Sequence, residues 1–283
     1  MAALAYVEPY VDPEATKMVH QVELEKLFNK NQLIPRIRQE FQTCDGFDFS
    51  AYMLEKEIPF PFGFDLLTQM ALHKRTTLPI LVGVLRHHFD DSQLTADMIL
   101  RAAEADLVDW NPELRIFVVK FTLSADVQEE LDKFQYPLPM VVQPKQVTCN
   151  TDTGYLMTGG SVILKKNHHD DDVCLDHLNR VNRVKFAIDL DTATMIQNKW
   201  RNLDKPKAGE TRDDFDKRKR AFEKYDRTAK DVIALLIQEG NEFYLTHKYD
   251  KRGRVYCQGY HVNYQGAAWN KATILLAEKE LVE

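Results

Sequence analysis

Eight consecutive residues carry the densest chemistry in the chain: Tyr249-Asp250-Lys251-Arg252-Gly253-Arg254-Val255-Tyr256. Two guanidiniums flank one glycine, with a lysine beside them, between the apolar runs Phe243-Tyr244-Leu245 and Val255-Tyr256-Cys257. Arginine presents a planar fork of donors suited to phosphate oxygens, and glycine lets the main chain turn between the two forks. The segment therefore suits close approach to a phosphodiester backbone. A charged turn on a solvated hairpin would carry the same residues, so the eight alone leave both readings open.

The elements around the segment add to the first reading. Net charge is −6, but residues 199–254 hold 16 basic against 11 acidic groups, while residues 1–198 hold 19 against 29. An acidic body with one basic arm can still bind a polyanion locally, because phosphate contacts act over short range at physiological salt. Within the arm, residues 211–238 predict the clearest helix of the chain, about 40 Å long. Phe215, Phe222, Tyr225, Ala229, Val232, Ile233 and Leu236 form its apolar stripe. Lys217, Arg218, Arg220, Lys224 and Arg227 populate much of the remainder as candidate backbone contacts. A mixed-charge solvated helix is the competing interpretation.

Upstream, residues 15–43 read as helical, with Pro35 as a break or start. The aromatic stretch Phe47 to Phe64, punctuated by Pro59, Pro61 and Gly63, predicts an extended arm packed in the interior. Helices are expected over 64–74, 77–89 and 95–107, then a hairpin from Leu107 to Phe121 with its turn at Asn111-Pro112. Three helices and a hairpin resemble a winged helix, but the second helix offers only Arg86, His87 and His88 to a nucleic acid, too few for a reading helix. Asp170-Asp171-Asp172 predicts the cap of a helix over 173–200, with a stripe of Leu175, Leu178, Val181, Val184, Ile188 and Met195. His168-His169 beside those aspartates reads as part of that cap, since adjacent residues of an extended chain point opposite ways and do not converge on a metal. Strands 242–247 and 255–261 and a helix over 269–279 complete the expected elements.

Several function classes drop out. The loop Thr153-Gly154-Tyr155-Leu156 with Thr158-Gly159-Gly160 lacks the lysine of a Walker cradle. Cys44, Cys149, Cys174 and Cys257 include no CxxC pair and predict reduced thiols. No apolar run reaches 18 residues and no basic-then-apolar leader opens the chain, which predicts an unsecreted protein away from membranes. Asp189 and Asp191, read as i and i+2 on a helix, do not face each other as a two-metal pair would. No complete active site is visible.

Taken in order, the motifs resemble those of phage-type single-subunit RNA polymerases. Asp250 to Tyr256 resembles that family's DxRGRVY segment. Asn263-Tyr264-Gln265-Gly266 and Lys271 to Ala277 resemble its NPQG and K-x-LL-x-LA stretches. Pro139 to Lys145 with Thr153-Gly154-Tyr155 resembles its PM…VVPPKPW…GGY segment, breaking at Gln146-Val147-Thr148, where the family has proline and tryptophan. The likeness covers residues 80–283. It implies a mainly α fold with small β hairpins (α+β): an N-terminal domain over 1–183, a thumb-like helical region over 184–240 and the start of a palm over 241–283.

The same likeness implies that Lys251, Arg252, Gly253, Arg254 and Tyr256 contact template and hybrid, and that the basic helix flanks the hybrid as a thumb. The family's palm aspartates, fingers lysine and tyrosine, and late histidine–aspartate motif have no counterpart here. The expectation is therefore the smaller subunit of a split polymerase, inactive alone. A larger subunit would carry fingers and catalytic palm and bind the Mg²⁺. Other implied partners are the DNA template, the nascent RNA and a phage single-stranded-DNA-binding or loading factor, in the host bacterial cytoplasm. Two rivals stand beside it. One is a winged-helix-like DNA-binding transcription factor built on 64–121. The other is a structural interaction subunit docking through the 47–64 stretch and an open palm edge.

Overall fold

The computed structural model describes residues 12–28, 30–134, 136–164, 170–195, 203 and 205–279. The first helices are α1 (Pro13–Phe28), α2 (Lys30–Gln42), α3 (Phe49–Glu55) and α4 (Phe60–His73). Strand β1 (Arg75–Thr76), α5 (Leu78–Leu85), a 3₁₀ turn over Arg86–His88 and α6 (Ser92–Glu104) follow. Next come β2 (Asp109–Asn111), β3 (Ile116–Val118), α7 (Ala125–Phe134) and α8 (Leu175–Asn182). Then β4 (Lys185–Ile188), α9 (Leu190–Met195) and α10 (Arg212–Gln238). The chain finishes with β5 (Phe243–Tyr244), β6 (His247–Tyr249), β7 (Val255–Cys257), α11 (Ala268–Ala272) and β8 (Ile274–Leu276). Helices with small antiparallel sheets make this an α+β protein, as the pattern predicts. It divides into two compact units, one of Met1–Leu27 with Tyr136–Glu283 and one of Phe28–Gln135.

The Phe28–Gln135 unit is organised around α4, which is buried from Phe62 through Thr68 and again from Met70 to Leu72. Pro61 sits in its first turn, where a missing N–H costs nothing. A Cβ on Gly63 would lie 2.5 Å from Met53 Sδ, so glycine leaves room on α4 for the end of the buried Met53 side chain from α3. The interior placement expected of the Phe47–Phe64 stretch holds for Phe49, Ile58, Phe62 and Phe64. Its extended form does not, because Asp48 caps Ala51 N and starts α3, and the prolines start α4. Pro35 is interior to α2, whose buried Leu33, Ile37 and Phe41 carry the helix through it.

In the same unit β1 and β2 both pair antiparallel with β3, giving the strand order β1-β3-β2. The succession α4-β1-α5-α6-β2-β3 with this order is that of a winged helix. The helix that precedes the β2–β3 hairpin in this order is α6, not α5. The exposed face of α6 carries Gln93, Leu94, Asp97, Leu100, Arg101 and Glu104, and its one arginine is paired with Glu57.

The other unit is built on the sheet β5-β4-β8, all antiparallel. Here two expectations fail. The helix predicted over 173–200 is α8, then β4, then α9. Phe186 and Ile188 alternate inward, and β4 is paired on both sides, so tertiary pairing overrides the helical period that Leu178 and Val181 suggest. Asp189 precedes α9, where its carboxylate accepts from Thr192 N and Oγ1. The helix predicted over 269–279 stops at Ala272, and the apolar Ile274-Leu275-Leu276 joins β4 as an edge strand. His168, His169 and the 196–200 end of the first prediction lie outside the described residues.

Helix α1 is anchored to this unit by a buried carboxylate. Glu25 is fully buried and accepts from the successive amides of Leu156, Met157 and Thr158 at 2.7, 2.7 and 2.8 Å. Gln21 Nε2 adds a fourth bond at 3.1 Å. Among the described residues no helix is long and apolar enough to cross a membrane.

Candidate nucleic-acid interface

The arginine segment is a tight β-hairpin between β6 and β7, in register from His247↔Cys257 to Tyr249↔Val255. Gly253 N donates to Asp250 O and Asp250 N to Arg254 O, closing the turn. Gly253 has φ of 75°, a conformation that disfavours any side chain, which is the physical reason for glycine between the arginines. Tyr249 N also donates to Val162 O, tying the hairpin's base to the loop before residue 165.

Asp250 organises the turn. Its carboxylate accepts from Arg252 N at 2.8 Å, Arg254 N at 3.0 Å and Arg254 Nε at 2.7 Å, with Tyr256 Oη at 3.3 Å. Burial opposes the charge, yet the bonds from the Arg254 amide and guanidinium and from the Arg252 amide hold this carboxyl well below the usual carboxylate range. Arg254 also lies over the Tyr256 ring at 5.6 Å. Arg254 is thus oriented, not loose. Nε and one Nη2 hydrogen face Asp250, and three of its five donors remain for an incoming anion. Arg252 is only distantly paired at 3.8 Å, with 66% of its side chain exposed, and Lys251 is exposed.

Helix α10 forms as predicted. Thr211 caps Asp214 N, and the chain leaves through Gly240 and Asn241, both at positive φ. Phe215, Thr228, Ala229, Val232 and Leu236 are its buried side. Lys217, Arg220, Lys224 and Arg227 fall at i, i+3, i+7 and i+10, inside a sector of about 80° at 100° per residue. Arg218 is off that stripe. Its guanidinium bonds both oxygens of Glu210 at 2.8 Å and lies 5.3 Å from the Phe215 ring, holding the chain before α10 against the helix. The Arg218 hydrogen bond and the Lys207 amide pull the Glu210 carboxyl down to about 2.

Hairpin and helix share one support. The loop leaving β7 crosses α10, where Tyr225 Oη donates to Tyr260 O at 3.2 Å and accepts from Asn270 Nδ2 at 3.1 Å. Tyr260 stacks on Tyr136 at 3.9 Å between centroids and is 45% exposed. A cavity of about 580 Å³ opens between helix and loop, lined by Arg218, Phe222, Tyr225, Tyr260, Asn263 and Asn270 among others. Beneath β6, His247 donates from Nδ1 to Asn182 Oδ1 and accepts at Nε2 from Tyr264 Oη, both at 2.8 Å. Burial, with His177 nearby, pushes its imidazole down to about 4.

The structure therefore brings Lys251, Arg252, Gly253, Arg254 and Tyr256 onto one turn, and Lys217, Arg220, Lys224 and Arg227 onto one stripe. It turns Arg218 to a tethering contact. Sequence reasoning missed Asp250 as the organiser, although a carboxylate four residues before an arginine across a glycine turn is a readable signal. Tyr225 and Tyr260 were missed as the link because their contact depends on the loop's path.

No family model and no curated protein matches the chain, so the residues themselves carry the functional argument.

Proposed function

We propose that the chain is a subunit of a DNA-directed RNA polymerase that grips the template–transcript backbone and completes the palm of a larger catalytic subunit. The observation that carries this reading is the pre-oriented Arg254, with Lys251 and Arg252, on a hairpin whose exit loop is bonded to the basic helix α10. Turn and stripe supply positive charge, and the carboxylate beside them, Asp250, is taken up by the Arg252 and Arg254 donors, which suits holding a polyanion. In this role the stripe from Lys217 to Arg227 covers about 15 Å, the reach of four or five phosphates of one strand.

The sheet edge supports a partner. Strand β8 has no strand beyond it among the described residues, and Leu275 and Leu276 are 38% and 58% exposed. An unpaired edge with exposed leucines suits addition of a strand from a larger subunit. The Mg²⁺ of nucleotidyl transfer is assigned to that subunit. Among the described residues the one cluster able to hold a metal is Asp65, His87 and His88, an imidazole-rich set unlike the oxygen shell Mg²⁺ requires. The reading as a duplex-reading transcription factor is weaker, because α6 presents one paired arginine between Asp97 and Glu104.

Anisotropy of a labelled RNA–DNA hybrid, titrated with the chain across a salt series, tests the grip. Arg252→Ala with Arg254→Ala should flatten the slope of log K against log salt by about 1.4 to 1.8. A slope equal to wild type would remove the turn from the interface.

A further inference from the structure

The Phe28–Gln135 unit holds a cluster with no part in that function. Asp65, from the middle of α4, is buried, and the 3₁₀ turn after α5 swings two consecutive imidazoles onto it. His88 Nε2 lies 2.9 Å and His87 Nε2 3.7 Å from the same oxygen, Asp65 Oδ2. The two rings are 4.1 Å apart between centroids, and the three donor atoms lie within 4.8 Å of one another.

We infer that Asp65, His87 and His88 form a site for one Zn²⁺-type ion with an open coordination position. The geometry fits the ion. Nitrogen and oxygen ligands at about 2.0–2.1 Å in a tetrahedron stand about 3.3 Å from each other, and the two measured separations bracket that value. The tautomer fits as well. His87 Nδ1 lies 3.1 Å from Val84 O, which can only accept, so Nδ1 carries a hydrogen and Nε2 is the atom left to a metal. Nε2 faces the carboxylate oxygen at 3.7 Å, a separation that admits a cation between the two atoms. Two of the three ligands are held from behind: His87 by Val84 O, and Asp65 by Arg38, whose guanidinium takes Oδ1 and leaves Oδ2 to the histidines. Phe62 meets the His88 ring edge-on at 5.8 Å and fixes its plane.

Two imidazoles and one carboxylate favour Zn²⁺ over Mg²⁺ or Ca²⁺. Three protein ligands leave a fourth position. Asp65 and His88 also line a cavity of about 560 Å³ together with Arg38, Gln42, Ser50 and Phe60. An anionic ligand entering there would meet the ion and the Arg38 guanidinium together.

The test uses the full chain stripped with a chelator, then titrated with Zn²⁺ against a chromophoric competitor and with Co²⁺ followed by visible absorption. Wild type should take up one equivalent tightly and show the ligand-field bands of four-coordinate Co²⁺. His87→Ala is the decisive variant, because its side chain is 62% exposed and the apo fold should tolerate its loss. It should weaken Zn²⁺ at least about tenfold with an unchanged apo melting curve, and His88→Ala, a more buried change, should weaken Zn²⁺ as well. Absence of tight uptake by wild type, or wild-type affinity in His87→Ala, would overturn the site.

Discussion

Replacing Glu25 by glutamine should unseat α1, at a cost that follows from the hydrogen bonds. The carboxylate is fully buried, and one oxygen accepts from Leu156 N and Gln21 Nε2, the other from Met157 N and Thr158 N. Glutamine keeps an acceptor for only one of these pairs and turns its NH₂ toward the other, leaving two buried donors facing a donor. At about 1–3 kcal/mol for each buried polar group left unsatisfied, the loss should be about 2–6 kcal/mol. Such a loss is a large part of the stability of an ordinary domain and corresponds to roughly 4–24 °C in Tm at this size. Trp269 is buried in the same unit and Trp110 belongs to the other, so urea unfolding in a Trp110→Phe background reports the affected unit. Glu23→Gln, an exposed change on the same helix, is the control and should stay within about 0.5 kcal/mol. A Glu25→Gln loss below about 1 kcal/mol would refute the claim that this carboxylate anchors the helix.

Two further predictions concern the hairpin. Gly253→Ala meets no atom within 4 Å, so its cost is the positive φ alone, about 1 kcal/mol, seen as a lowered melting curve and weaker hybrid binding. An unchanged melt would mean the turn is not held at that φ. The second is a pH effect through His247, whose imidazole sits at about 4 when folded, against about 6.5 in an unfolded chain. Above pH 6.5 both states are neutral there. From 6.5 down to 4 the unfolded state binds a proton that the folded state refuses, so stability falls by about 2–3 kcal/mol as pH drops through that window. The depressed carboxylate Glu210 acts lower, between about 4.3 and 2. Denaturation curves at pH 7 and pH 4.5 should converge in His247→Gln relative to wild type, and an equal acid loss in both would assign the effect elsewhere.

Much of the candidate interface was legible in the sequence, because local chemistry dictates it. Thr211, the apolar period through Leu236 and Gly240 define α10, and the glycine between Arg252 and Arg254 defines a turn. The sheet was less legible. Strand β4 is four residues long, carries the same apolar spacing as the end of α8, and becomes a strand only by lying between β5 and β8. Leu275 and Leu276 read equally as one side of a helix or as an exposed edge. The Glu25 anchor joins residues 131 to 133 positions apart, and the Asp65 cluster joins residues about twenty apart. No local pattern encodes either contact.

The central claim is tested most directly by template-directed RNA extension with the chain co-purified with the larger catalytic subunit we propose for it, comparing wild type with Arg254→Ala. Loss of one charge-assisted contact to the hybrid, about 1.5–3 kcal/mol, should slow elongation roughly 10- to 100-fold while recovery of the complex is unchanged. The chain alone should make no RNA. Wild-type elongation by the Arg254→Ala complex, or polymerisation by the isolated chain, would contradict the account.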